Sequence, residues 1–79
     1  MKVVVNVYLK DGILDPQGKA VTRALGALGF DNVSDARIGK RIVLDLALND
    51  SKEARQEAEK MASELLVNEV IEEFSIEVL

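Results

Sequence analysis

The sequence contains no cysteine, no histidine and no tryptophan, and only one proline among its 79 residues. Without cysteine the chain can form no disulfide and offers no thiolate, which fits a reducing compartment. Without histidine it lacks the commonest general base and metal ligand, so neither a Cys–His nucleophile pair nor a Cys/His zinc site can be built. An enzyme would have to rely on carboxylates, Lys, Arg, one tyrosine and hydroxyl groups. These absences favour a non-catalytic role.

Positive charge and long apolar runs are also scarce. Ten Lys and Arg against fourteen Asp and Glu leave a net charge of −4, which argues against nucleic acid because its backbone attracts clustered basic residues. Aromatic residues make up only 4% of the chain, too few for a sheet that stacks RNA bases. The opening run "MKVVVNVYL" is too short to span a membrane, and no small-residue cleavage site follows it. We therefore expect a cytoplasmic protein with no nucleic-acid or membrane partner.

The composition is that of a small globular protein. With 48% hydrophobic and 30% charged residues, residues 1–79 are expected to form a single folded domain. A domain of this size buries only about 60–65% of the surface that its unfolded chain exposes. Association with other chains would add the buried area that a single copy lacks.

The first half of the chain predicts a strand, a helix and a second strand. An alternating strand runs from Lys2 to Leu9, and a helix follows the cap formed by Asp15 and Pro16, ending near Gly29. An apolar stripe at helical spacing marks the buried side of that helix: Val21, Ala24, Leu25 and Leu28.

The second half predicts a hairpin, a second helix and a last strand. A three-residue turn, Gly39 to Arg41, would pair Ile38 with Ile42 and Ala36 with Leu44. The second helix starts at Asp50 and ends near Asn68. Its predicted buried stripe is Ala54, Ala58, Met61, Ala62 and Leu65. A strand from Phe74 to Val78 completes the order β-α-β-β-α-β, which indicates an α+β fold of the ferredoxin-like, split β-α-β type with both helices on one face of the sheet.

The other face of the predicted sheet is only half polar. It would carry Val4, Asn6, Tyr8, Val43, Asp45 and Ala47. An antiparallel sheet that leaves one face in water usually makes that face more polar. We therefore expect this face to meet another copy in a homodimer or homotetramer. The alternative is that these are scattered exposed valines without a role.

Two loops have features that allow more than one interpretation. In "LDPQG", Asp-Pro at a helix start is explained by capping, but Gly18 in the first turn costs up to about 1 kcal/mol relative to alanine. Close approach of another backbone or of a ligand would explain Gly18, and the free N–H groups beside Lys19 could receive an anion. A bulky residue at Gly18 is then expected to weaken assembly without disturbing the fold. In "RIGKR", the basic residues form either a solvated turn or a contact for an acidic partner.

Four blocks, "LKDGILDPQGKAV", "RALGALGF", "ARIGKRIVLDLAL" and "LLVNEVIEEFSIEV", together resemble the PurS family. The resemblance covers essentially the whole chain and keeps the order and spacing of the blocks. PurS is the small accessory subunit of a multi-subunit phosphoribosylformylglycinamidine synthase. Two positions depart from the family pattern: Glu69 stands where many relatives have proline, and Ala36 is smaller than the usual aliphatic residue.

The resemblance implies a role in purine biosynthesis as a non-catalytic assembly subunit. Family members form homodimers or larger oligomers and join a synthetase subunit to a glutaminase subunit that supplies ammonia. The complex uses ATP to convert formylglycinamide ribonucleotide into its amidine. No cofactor is expected on this subunit, and ATP and magnesium are expected on the synthetase subunit. The family pattern assigns interface or architecture, not catalysis, to Lys10, Gly12, Asp15, Pro16, Gln17, Gly18, Lys19, Arg37, Gly39 and Lys40.

Two other functions remain open from the residues alone. One is a regulatory module of similar fold that binds a small molecule, such as an amino acid, at a dimer interface. The other is a minimal enzyme, which would need a carboxylate with a perturbed pKa in a pocket.

Overall fold

A computed structural model describes all residues, 1–79, and shows an α+β chain of three strands and two α-helices. The elements are β1 (Lys2–Leu9), α1 (Pro16–Ala27), β2 (Lys40–Asp45), α2 (Ser51–Met61) followed by a π-helical turn (Ala62–Leu66), and β3 (Glu72–Val78). The predicted α+β class is confirmed, and the start of each helix lies at the predicted aspartate cap, Asp15 and Asp50.

The strands form one antiparallel sheet in the order β2-β1-β3. The central place of β1 follows from its valines, because a strand flanked on both edges has little access to water. In the register, Val5 lies opposite Ile42 of β2 and opposite Ile76 of β3. Residues that face each other in an antiparallel sheet project their side chains to the same side. One face of the sheet is therefore aliphatic across all three strands.

The core lies between this face and α2. Three alanines of the helical stretch, Ala54, Ala58 and Ala62, are fully buried together with Val3, Val5 and Val7. Small side chains let the helix approach the sheet closely. The helix packs against β1 and β3. The aliphatic side chains on the β2 side of the same face stay half-exposed, and they are Ile42, Leu44, Leu46 and Leu48. We call these four residues the open row.

The second helix ends differently from the prediction. After Met61 the backbone makes a π-helical turn, in which the Val67 N–H donates to the Ala62 carbonyl at 2.9 Å. The wider turn shifts the helical register by one residue. Leu66 then packs against the core, whereas Leu65, which was predicted to be buried, is 84% exposed.

The predicted hairpin is not formed. Residues 33–39 belong to no strand, and the backbone of residues 31–39 makes no backbone–backbone hydrogen bond. Instead, β2 starts at Lys40 and pairs with β1. This pairing sets Ile42 opposite Val5 and Leu44 opposite Val3, in place of Ile38 and Ala36 in the predicted hairpin.

The first helix does not cover the sheet. No residue of α1 belongs to the core or packs against it, and Gly18 is its only buried residue. Leu28 and Phe30, just beyond the helix, are 74% and 58% exposed. The prediction that both helices lie on one face of the sheet is therefore wrong for a single copy. We call residues 16–38 the arm and the remainder, with its sheet and α2, the body.

The projecting arm makes the molecule long. The radius of gyration is 15.8 Å and the principal extents are 48 × 25 × 14 Å. A compact domain of this length would have a radius of gyration of about 11.6 Å. A strand of β1's length (about 26 Å) and a helix of α1's length (about 18 Å), placed end to end, account for most of the long dimension.

The contact between α2 and the sheet leads to a first prediction. Ala58→Leu adds three carbons where the helix touches the valines of β1, so we expect it to lower the free energy of unfolding by about 1–3 kcal/mol. Gln56→Leu, on the exposed side of the same helix, should change it by less than about 0.5 kcal/mol. Urea denaturation followed by circular dichroism measures both. Equal unfolding midpoints for the two variants would show that α2 does not pack as described.

Candidate functional site

The two loops that the sequence singled out meet where the arm leaves the body. The Asp15 carboxylate connects them, because one oxygen accepts from the Gly18 N–H at 2.9 Å and the other from the Ile38 N–H at 2.7 Å. The first bond caps α1, and the second fixes the end of the returning segment. Asp15 is thus an N-cap, as predicted, and also a cross-link between distant parts of the chain. We call residues 10–19 together with residues 36–40 the arm base.

Arg37 adds a second cross-link within the arm base. Its guanidinium donates to the Ile13 carbonyl at 2.9 Å and to the Lys10 carbonyl at 3.2 Å. The planar, multiply donating guanidinium suits two carbonyl oxygens on one loop. In this structure Arg37 therefore serves an internal contact, and the hairpin tip that was expected to present it does not exist.

Glycines allow the backbones to approach each other here. A Cβ on Gly18 would overlap the backbone carbonyl oxygen of Ala36, and one on Gly39 would lie 2.7 Å from the Val7 carbonyl oxygen. Gly12 has a φ of +84°, which favours glycine. Close approach of another backbone was one of the two explanations predicted for Gly18. That backbone belongs to the same chain, so the expectation that a bulky residue there leaves the fold undisturbed is wrong.

The surroundings of Asp15 lower the pKa of its carboxyl group. The hydrogen bond from the Ile38 N–H lowers it most, followed by the bond from the Gly18 N–H, while desolvation opposes them and the nearby Arg37 charge adds to the lowering. The hydrogen bonds and the Arg37 charge all favour the ionised form of the carboxyl group. Asp15 is therefore held as a carboxylate, which suits a structural role rather than proton transfer.

The predicted site residues fall into an internal set and an outward set. Gly12, Asp15, Gly18, Arg37 and Gly39 build the arm base. The remaining predicted site residues have their side chains at the surface, and only that of Lys10 is half-buried. They are Lys10, Pro16, Gln17, Lys19 and Lys40. A groove of about 280 Å³ crosses the arm base between Tyr8, Gln17 and Glu72.

Glu72 also belongs to this site, although the sequence analysis did not single it out. Its carboxylate lies 3.8 Å from the Lys40 ammonium group, and it also accepts from the Asn68 N–H at 2.8 Å. The register of β3 against β1 brings Glu72 opposite Leu9, at the end of the sheet where the arm begins. Only this long-range pairing identifies it, because the Glu72–Glu73 pair has no distinctive local pattern.

The sheet face away from α2 carries the predicted oligomer residues. Val4, Asn6, Tyr8, Val43 and Asp45 alternate with the core positions, and Ala47 lies in a bend just after β2. Val4 is fully buried, while Tyr8 and Val43 are 42% and 46% exposed. The third strand adds polar side chains to this face, including Glu77, which accepts from the Asn6 side-chain amide at 3.0 Å. An oligomer contact here stays a prediction.

Catalytic features are missing from the structure. No group of three or more Asp and Glu side chains is arranged to hold a metal ion. The Asp15 carboxyl group, whose pKa is lowered, is engaged on both oxygens by backbone donors. None of the helices has the length and apolarity needed to cross a bilayer.

A family model and individual relatives place the chain in the same family. Residues 2–79 match the family model PurS, described as phosphoribosylformylglycinamidine (FGAM) synthase. A protein from a Synechocystis species, named phosphoribosylformylglycinamidine synthase subunit PurS, is 44% identical over 72 residues, which cover 91% of this chain and 72% of that protein.

Solved structures agree over nearly the whole chain. The crystal structure of Methanocaldococcus jannaschii PurS, described as one of the subunits of formylglycinamide ribonucleotide amidotransferase, is 36% identical with a TM-score of 0.88, covering 96% of this chain and 92% of that one. A chain in a structure called PurLQS from Thermotoga maritima is 31% identical with a TM-score of 0.89, covering 99% and 95%.

The glycine contacts lead to a second prediction. Gly18→Ala should lower the free energy of unfolding by about 1–3 kcal/mol, because the new methyl group forces the Ala36 backbone away. Gly26→Ala, in the same helix but facing open space, should raise it by up to about 1 kcal/mol through helix propensity. Thermal and urea unfolding compare the two. If Gly18→Ala is as stable as Gly26→Ala, the close backbone contact is wrong.

The Asp15 carboxylate leads to a third prediction, on pH. A folded-state pKa below the ordinary value of 3.8 stabilises the fold above that value, and the stabilisation is lost as pH falls through the folded-state pKa. Asp15→Asn should therefore be less stable than the natural chain at pH 7, with a difference that shrinks as the pH drops below about 4.

Urea unfolding at pH 7 and at about pH 3 measures this difference, with Asp11→Asn in the exposed part of the same loop as the matched control. The control variant should follow the natural chain at both pH values. A deficit of Asp15→Asn that stays constant with pH would contradict the role of the ionised carboxylate.

Proposed function

The chain belongs to the PurS family of phosphoribosylformylglycinamidine synthase subunits, and on that basis we propose that it is the small assembly subunit of this enzyme. In this proposal it joins a synthetase subunit to a glutaminase subunit and supports the transfer of ammonia between them. The complex performs the ATP- and glutamine-dependent conversion of formylglycinamide ribonucleotide to its amidine in purine biosynthesis. ATP and magnesium bind to the synthetase subunit, and the complex works in the cytoplasm.

The observation that carries the proposal is how the family residues are used. Asp15 and Arg37 bond to backbone groups of their own chain, and Gly18 and Gly39 touch them. These contacts hold the backbone of the arm base in place and do not form a reaction centre. A glutaminase needs a nucleophile and a base, and the absence of cysteine and histidine denies this chain the usual pair. A chain in the structure called PurLQS from Thermotoga maritima is similar to this one along nearly its whole length.

We assign the partner contacts to the outward residues of the arm base. Lys10 and Lys19 extend from a loop and a helix start that are held rigidly by Asp15 and Arg37. Lys40 is partly neutralised by Glu72, whereas Lys10 and Lys19 form no salt bridge. Complementary charge guides association and fixes orientation. The matching surface on the partner is therefore acidic.

The fourth prediction tests both the role and the contact. With the synthetase and glutaminase subunits, the natural chain should co-elute as one complex and should be required for glutamine-dependent turnover. Lys10→Glu combined with Lys19→Glu should weaken assembly by about tenfold or more, because two attractive charges become repulsive. Lys52→Glu, exposed at the start of α2, is the charge-matched control and should assemble normally.

Two outcomes would overturn the proposal. Full glutamine-dependent turnover without this chain would remove its role. Normal assembly of the double lysine variant would move the contact away from the arm base. Calorimetry with free amino acids and nucleotides addresses the alternative of a small-molecule regulatory module, because an assembly subunit should release little heat with either.

A further inference from the structure

We propose that the segment between α2 and β3, residues 64–71, is a docking surface for a protein that presents an apolar recess rimmed by Lys and Arg. The proposal rests on the proposed function, because a chain that joins two subunits needs two separate surfaces. Lys10 and Lys19 form the first surface and fit an acidic partner. We call residues 64–71 the connection, and it takes the partner subunit that the lysines do not hold.

Large apolar side chains of the connection lie almost entirely in solvent. Leu65 is 84% exposed and Val70 is 80% exposed, more than any other large hydrophobic residue of the chain. Ile71 follows them and is also exposed. A single apolar side chain on a surface is ordinary, but these three lie within one short segment. Exposed apolar groups rimmed by polar residues mark surfaces that contact other proteins.

The π-helical turn after α2 is what brings Leu65 to the surface. In a regular α-helix Leu65 would lie on the same side as the buried Ala58, because residues seven apart share a face. Instead Leu66 packs against the core, and Leu65 points to solvent. Such π-helical turns are rare and occur frequently at functional sites. The shifted register therefore uses Leu66 for the fold and leaves Leu65 for a contact.

Asn68 holds the loop that carries Val70 in one conformation. Its side-chain oxygen accepts from the Val70 N–H at 3.2 Å, and its backbone carbonyl accepts from the Glu72 N–H at 2.7 Å. The Asn68 N–H donates to the Glu72 carboxylate at 2.8 Å. The Lys10 N–H donates to the Ile71 carbonyl at 2.9 Å, which ties the loop to the end of β1. A surface that is fixed in advance loses little conformational freedom on binding.

The charges around the connection indicate a basic partner. From residue 61 to residue 79 the chain has no Lys or Arg, and its charged side chains there are all glutamates: Glu64, Glu69, Glu72, Glu73 and Glu77. Glu64 directly precedes Leu65, and Glu69 directly precedes Val70. Both glutamates are exposed and neither forms a salt bridge. Complementary charge steers association and fixes orientation, so positive charge is expected around the recess that receives the apolar side chains.

The same charges argue against other occupants. Two copies that met through this surface would set glutamates against glutamates, and like charges across an interface are costly. Nucleic acid and anionic lipid would be repelled in the same way. The connection shares no residue with the arm or with the open row. A basic surface on a different protein is the occupant that remains.

The connection lies next to the surface that we assign to the first partner. Lys10 is joined to Ile71 by a backbone hydrogen bond, and Lys10 and Glu69 line the same shallow pocket. Two subunits bound at these neighbouring surfaces would meet at one end of the body. That placement suits the transfer of ammonia between them.

The first experiment removes the apolar side chains and measures which subunit leaves the complex. Leu65→Ser with Val70→Ser is mixed with the synthetase and glutaminase subunits, and the composition of the complex is measured by size-exclusion chromatography. This variant should bind one subunit about tenfold more weakly or worse and should keep the other. Lys10→Glu with Lys19→Glu should lose the opposite subunit. Leu79→Ser, 64% exposed at the far end of β3, is the matched apolar control and should assemble normally.

The second experiment tests the charge of the partner. Glu64→Lys with Glu69→Lys should weaken binding of the same subunit by about tenfold at about 50 mM salt. The difference should shrink at about 500 mM salt, because salt screens exposed charges. Glu53→Lys with Glu57→Lys makes the same change of charge on the exposed side of α2, away from the connection, and should bind like the natural chain.

Neither Leu65 nor Val70 belongs to the core, so circular dichroism should show unchanged helix content in their double variant. Normal assembly of that variant would overturn the docking surface, and so would loss of the same subunit that the lysine variant loses. Equal weakening by the Glu53 and Glu57 changes would also overturn it. Light scattering of the isolated chain should give the same mass with and without the serines, and a lower mass for the variant would make a second copy the occupant.

Failure of the proposed function gives a different result. In that case the natural chain itself would not co-elute with either subunit, or glutamine-dependent turnover would not require it. Failure of the docking surface alone leaves the natural complex and its turnover intact.

Discussion

The structure depends on one carboxylate that accepts two backbone hydrogen bonds. Asp15 starts α1 through the Gly18 N–H and at the same time holds the far end of the arm through the Ile38 N–H. A charged acceptor satisfied by two backbone donors is stronger than a neutral one, and its lowered pKa keeps it charged across the neutral range. Because this contact joins both ends of the arm, it determines the direction in which the arm leaves the body.

The direction of the arm decides what the body lacks. With α1 pointing away, one helix is left to cover a three-stranded sheet, and the aliphatic side chains along β2 stay half-exposed. A compact chain would have packed its own first helix against these side chains. Stiffness at the arm base thus leaves half-exposed a surface that a compact chain would bury under its own helix.

The need to fix the arm also explains why the family residues cluster without forming a reaction centre. In a chain of 79 residues, Gly18, Gly39 and Arg37 are needed to let backbones touch and to hold a loop. Lys10 and Lys19 remain free on that rigid frame. A subunit whose task is to hold larger subunits in register needs a fixed shape and a few exposed charges, and both are present at the arm base.

The sequence by itself determined most of the elements and the residue types that are available for chemistry. The Asp-Pro cap, the alternation of β1 and β3 and the alanine stripe of α2 are local patterns, and the missing residue types exclude the usual catalytic groups. Only the tertiary structure decided how these parts combine: that β2 pairs with β1 instead of residues 33–38, that α1 leaves the sheet, and that Glu72 meets Lys40. Each of these depends on contacts between residues far apart in the chain, and local periodicity does not reveal whether a helix packs on its own sheet or on another.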